Sequence, residues 1–197
     1  MALLTAIFSA LTRSFRSGFF RGLVVLVVLG LGAAGPARAA EIAPEYQVKA
    51  VFLFNFAQFV EWPATAFADK RAPFVIGVLG EDPFGDYLDK LVQSEKVGER
   101  PMQVRRFRRA EDITECHILF VSHEVTGFDR IATGLRAHRV LTVGDMDNFS
   151  RLGGMVRFVT VNGKIRLRIN VVSAQESGLI ISSKLLRSAT IVTPEKG

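Results

Sequence analysis

The run Gly154–Asn170, GMVRFVTVNGKIRLRIN, limits the fold more than any other part of the chain. Two alternating stretches flank the dipeptide Asn162-Gly163. Asn-Gly suits a two-residue type I′ turn, where both residues need positive φ, and so short a loop leaves one pairing register. That register sets Val161 against Lys164 and therefore Arg157 against Arg168. Val156, Phe158 and Thr160 then share a face with Ile165, Leu167 and Ile169. Arg157, Val159 and Val161 share the other with Lys164, Arg166 and Arg168. Like charges placed opposite each other destabilise a strand pair by a few tenths of a kcal/mol. The second face is therefore a solvated face, or one that an anion or an acidic partner covers.

Upstream, PFVIGVLG, MQVRRF, CHILFVS and RVLTVGD are short apolar runs with the character of strands. Helical patterns separate them. Asp82 is expected as an N-cap with Pro83 in the first turn of one helix, and Phe128, Ile131 and Leu135 stand at helical spacing in another. This order predicts a mixed, mostly parallel α/β sheet with an antiparallel C-terminal hairpin and helices on both faces. Residues 45–61 are predicted as a helix opened by Pro44 and stopped before Pro63. Gln47, Asn55, Gln58 and Glu61 form its polar stripe, and Val48, Val51, Phe52, Leu53, Phe54, Phe56, Phe59 and Val60 its apolar surface. Most of these Phe side chains are expected in the core, with Phe54 or Phe56 as a candidate dimer seam. SAQESGLIISSKLLRSATIV reads as a final helix with Leu179, Leu185 and Leu186 inward, and TPEKG as a tail.

The first 39 residues have a different character. Arg13, Arg16 and Arg21 precede the apolar run Gly22–Gly35, and Ala37-Arg38-Ala39 follows Pro36. This is the pattern of a secretory signal peptide cleaved after Ala39; an uncleaved anchor is the other reading. Four of the 25 basic residues and none of the 19 acidic ones lie there, so residues 40–197 carry 21 basic against 19 acidic, a charge of +2. The chain's net +6 is thus no argument for nucleic acid. Residues 40–197 have the length of a single domain. The lone cysteine, Cys116, cannot form an intramolecular disulfide and reads as a buried thiol.

No catalytic constellation stands out, and neither a cofactor nor a metal is expected. His117, His123 and His138 lack the i, i+4 spacing of a helical zinc site. GVLGEDPFG lacks the glycine pattern of a phosphate loop and carries two acids. Asp145 and Asp147 read as helix caps. A small-ligand mouth, if there is one, is expected at the carboxyl ends of the strands, near Gly80, Asp82, Ser122 and Asp145.

The segments FVEWP, FVIGVLGEDPFG, CHILFVS, VLTVGDMDNFSRLGGMVRF and KIRLRINVVSAQESGLIISSKLL, in this order, resemble the YfiR family of exported bacterial proteins. The resemblance spans about residues 45–193. It implies a periplasmic regulator without enzymatic activity, a homodimer with a mixed α/β fold. It further implies repression of an inner-membrane diguanylate cyclase through that enzyme's periplasmic sensor part, which lowers cyclic di-GMP and biofilm formation. Some relatives carry cysteine pairs, and with Cys116 alone redox sensing of that kind is not expected here. The expected partner surface joins the last hairpin to the SAQESGLIISSKLL segment through Arg157, Arg166, Arg168, Glu176, Ile180, Ile181 and Lys184. The alternative function is a periplasmic small-molecule sensor that signals to a membrane receptor such as a histidine kinase.

Overall fold

Pro44 supplies the fixed φ of a first helical turn, and the chain stays helical from there to Phe59 (α1, Pro44–Phe59) in the computed structural model, which describes residues 43–193. The signal peptide read from residues 1–39 lies outside those residues, as does the tail after Thr193. Val60–Glu61 (β1) is already extended, so the helix stops two residues short of the expected end. Buried Val60 pairs with Ile181 instead of continuing the turn, and Ser182 N–H donates to Phe59 O at 2.9 Å. A distant segment thus satisfies one of the carbonyls that a helix end leaves open.

Next come Phe74–Leu79 (β2), Asp86–Val92 (α2), Lys96–Val97 (β3) and Arg100–Phe107 (β4). Ile118–Val121 (β5), Phe128–Leu135 (α3) and Leu141–Gly144 (β6) follow. The hairpin is Val156–Val161 (β7) and Lys164–Asn170 (β8). Val171–Glu176 (α4), Ile180–Ile181 (β9), Ser183–Leu186 (α5) and Ala189–Val192 (β10) complete the described chain.

Eight strands form one sheet in the order β10-β8-β7-β6-β5-β2-β4-β3, and β1 and β9 form a separate ribbon. The neighbours from β4 through β7 are parallel, while β7 with β8 and β3 with β4 are antiparallel. The mixed, mostly parallel architecture is as predicted. So is the hairpin register: Arg157 faces Arg168 and Val161 faces Lys164 across Asn162 and Gly163, whose φ are +50° and +70°.

β2, β5 and β6 are buried at every position, which is why they read as nearly continuous apolar runs. On one side Leu53 and Phe56 of α1, Leu88 of α2 and Leu185 of α5 pack with Phe74, Phe120 and Ile169. On the other, Phe128, Ala132 and Leu135 of α3, together with Phe149, cover Leu79, Phe107, Leu119 and Val121. That second cluster contains no residue of β7, β8 or β10. Among the described residues, no hydrophobic layer covers the cationic face of the hairpin, where Lys164, Arg166 and Arg168 are exposed. Phe149 stacks on Phe128 at 4.4 Å, and a Cβ on Gly154 or Gly144 would stand 2.3 or 2.6 Å from its ring. The glycines of GDMDNFSRLGG make room for this aromatic.

Three expectations need correction. First, α1 buries Lys49, Ala50, Leu53, Phe56 and Ala57, so Val48 and Val51 turn outward at 46% and 38% exposure instead of joining the core. Phe56 is fully buried and is core, not a dimer seam. Second, Asp82 does not cap α2, which begins after Gly85. Asp82 Oδ1 accepts Phe84 N–H at 2.8 Å in a tight turn, which lets Phe84 reach Phe120 in the core. Third, the final segment is not one helix. Asn170 caps α4, Gly178 at φ +72° breaks it, and Ser182 caps α5. Thr190, Ile191 and Val192 then extend as β10 alongside β8, as their branched side chains favour.

Candidate interaction site

The cationic face of the hairpin meets the loop after β6 at Arg157. Its side chain is only 12% exposed and pairs with Asp147. Two residues earlier, Asp145 reaches α1, where its Oδ2 is 2.6 Å from Lys49 Nζ and accepts the Tyr46 hydroxyl at 3.1 Å. Glu45, one turn before Lys49, holds the same ammonium at 2.7 Å. Lys49 is buried to 2% exposure, and a charge so far from water persists only with partners such as these. Its hydrogen bond to Glu45 is the main reason that this carboxyl lies below its ordinary range. Burial and the neighbouring Asp145 push the Tyr46 phenol up. Asp145 and Asp147 are thus partners in long-range ion pairs and not the helix caps expected of them.

Two concavities flank Arg157. One, of about 350 Å³, is lined by Glu45, Tyr46, Lys49, Asp145 and His123 among others. The second, of about 310 Å³, lies between Ser150 and Arg151 of the loop, Arg157 of β7, Arg168 of β8 and the end of β10. Arg166 and Arg168 are exposed on β8, and Lys164 precedes them on the same face.

The remaining residues of the expected surface lie elsewhere. Ile181 and Leu185 pack in the core on the α1 side of the sheet, so exposed Ile180 and Lys184 belong to the layer opposite the arginines. Glu176 sits beside Arg136, 3.5 Å away. The structure brings Arg157, Arg166 and Arg168 together and separates them from Ile180, Ile181 and Lys184, while Glu176 lines a neighbouring concavity that shares Ser150, Arg151 and Thr193 with the one beside Arg157.

Of the residues expected at a ligand mouth, Gly80 and Ser122 lie side by side, while Asp82 and Asp145 are engaged elsewhere. Gly80 lines a cavity of about 620 Å³ above β2 and β5 together with Arg108, Glu124 and Arg130. Ser122 is buried beside it, Asp82 is engaged by Arg106 at 2.6 Å, and Asp145 belongs to the Lys49 cluster. Among the described residues no group of three His, Cys, Asp or Glu could hold a metal ion. His117 is a core residue stacked on Phe67 and Phe74 at 4.4 and 4.9 Å. Its Nδ1 accepts Val75 N–H at 3.0 Å, and Nε2 donates to Ala66 O at 3.2 Å. Burial holds its pKa down at about 4. Cys116 is a buried thiol, as expected, and desolvation pushes it up to about 12.

Sequence reasoning missed Lys49, Tyr46, Ser150 and Arg151. Lys49 did leave a signal, being the lone charge between Glu45 and Glu61 in an otherwise apolar and amide-bearing run. Its partner, 96 positions away, left none. No helix among the described residues is long and apolar enough to cross a membrane. No curated protein sequence matches the chain. The sequence model of the YfiR/HmsC-like family, by contrast, matches residues 46–190, from Tyr46 of the buried cluster to the final strand, and the chain belongs to that family.

Proposed function

We propose that this chain is exported by a signal peptide spanning residues 1–39 and that residues 40–197 act in the periplasm as a homodimeric repressor. Its target is a membrane-bound diguanylate cyclase, held inactive through its periplasmic sensor region, so that cyclic di-GMP and biofilm formation fall. Membership of a regulatory, non-catalytic periplasmic family supports this reading. The observation that carries the choice of surface is the cross-strand pair Arg157–Arg168 on a sheet face that no hydrophobic layer covers among the described residues. Repulsion between like charges favours an acidic partner there, which would set register and specificity more than raw affinity. Exposed Ile180 and Lys184, with Ile181 beneath, belong to a separate accessory contact, and Glu176 stands beside Arg136 next to the arginine surface.

Deleting the gene tests the proposal. Cyclic di-GMP is expected to rise, and the rise should vanish when the partner cyclase is also deleted. An unchanged level in the single deletion would sink the repressor reading. A rise that persists in the double deletion would move the partnership to another cyclase.

A further inference from the structure

The concavity of about 310 Å³ beside Arg157 has two properties that its surface charge alone does not explain. Among the described residues three guanidinium groups, Arg151, Arg157 and Arg168, line it against a single carboxylate, Asp147. That carboxylate is already engaged by Arg157 and is otherwise fully exposed. Two of its lining residues also hold buried polar atoms without a partner among the described residues, Arg157 Nε and Ser150 Oγ. Leaving a buried donor unsatisfied costs roughly 1–3 kcal/mol. Two such donors beside uncompensated positive charge describe a site that lacks an acceptor.

We infer that this concavity is an oxyanion site for a carboxylate or phosphate group. A small rotation of the Arg157 guanidinium and the Ser150 side chain would turn their buried donors toward the oxygens, and Arg168, directly across the strand pair, supplies the second positive charge. Arg151 closes the rim. Guanidinium groups suit this chemistry because their N–H groups lie in one plane and match two oxygens of the same group. The ligand would relieve the Arg157–Arg168 repulsion and satisfy both orphan donors at once. It has two possible sources, a free oxyanion in the compartment or an Asp or Glu side chain of the docked partner. The inference shares a face with the repressor reading but is tested on the purified protein alone, so the two can fail separately.

The test is a titration of the mature protein with sodium phosphate, followed by calorimetry and by melting temperature, against sodium chloride at matched ionic strength. Phosphate should give saturable binding and a rise in melting temperature by mass action. Chloride should not. Ser150→Ala and Arg168→Gln should each weaken phosphate binding at least tenfold without changing the far-UV spectrum, while Arg187→Gln, at an exposed cation elsewhere, should leave it intact. Should Arg168→Gln fail to fold, Ser150→Ala alone carries the comparison. A parallel titration with N-acetyl-glutamate amide separates the sources. Binding of phosphate only assigns a free anion, and binding of the carboxylate at the same residues assigns a partner side chain. A response to phosphate no larger than that to chloride, or one that survives in the folded variants, overturns the inference.

Discussion

β2, β5 and β6 and the hairpin β7–β8 belong to one sheet but meet different surroundings. The central strands are buried at every position, with helices against both faces. The hairpin is buried on one face only, and its other face carries Arg157, Lys164, Arg166 and Arg168. The charges differ in the same way. Lys49 of α1, buried on the covered face, is flanked by two carboxylates, whereas of Arg157 and Arg168 only Arg157 has a carboxylate partner among the described residues, Asp147. Where the sheet is sealed, charge is neutralised internally and serves stability. Where it is open, positive charge is left over, and that surplus is what a partner or an anion can read.

The largest effect should come from breaking the internal neutralisation. Asp145→Ala leaves Lys49 buried with Glu45 alone and should cost about 3–4 kcal/mol in urea unfolding. A loss under 1 kcal/mol would mean that Glu45 or water suffices, and the contrast with Arg157 would collapse. Gly154→Ala comes next. Its Cβ would lie 2.3 Å from the Phe149 ring, and such overpacking should cost about 2–3 kcal/mol in the same assay.

Acidification offers a third test of the closed half. Folding pulls the His117 pKa from 6.5 down to about 4, chiefly because burial disfavours the charged imidazolium. Unfolded chains bind this proton below pH 6.5, while the folded chain does not until about pH 4. Stability from the neutral ring is therefore complete above that range and falls as the pH drops through it. Between pH 6.5 and about 5 the loss should approach 2 kcal/mol. His117→Gln, which keeps an acceptor, should remove that component of the slope, and an unaltered slope would assign it to other groups. The smallest effect on stability belongs to the open half. Arg166→Gln with Arg168→Gln should change unfolding free energy by no more than about 0.5 kcal/mol. The same variant should lose repression of cyclic di-GMP. Normal repression would show that the cationic face is merely solvated.

The hairpin was legible because its determinants are local. Asn162 and Gly163 fix the turn, and the turn fixes the register five residues away at Arg157 and Arg168. The C-terminal segment was misread because Leu179, Leu185 and Leu186 match a helical period, while Gly178 and the branched Thr190, Ile191 and Val192 argue against one continuous helix. Asp82 fits an N-cap by residue type, but core space for Phe84 sets where α2 begins. Family kinship was visible because it rests on the order of motifs along the chain.

By itself, then, the sequence determined the parallel central strands, the hairpin register and the line of cations on one hairpin face, since each follows from side-chain period and turn chemistry within a few residues. The tertiary structure alone decided that Lys49 is buried against Asp145, that β1 pairs with β9, and that Ser150 and Arg151 come up beside Arg157 and Arg168. Lys49 with Asp145 and β1 with β9 join segments far apart in the chain, the arginine concavity gathers a loop and three strands, and burial and charge compensation select such contacts only once the sheet has closed.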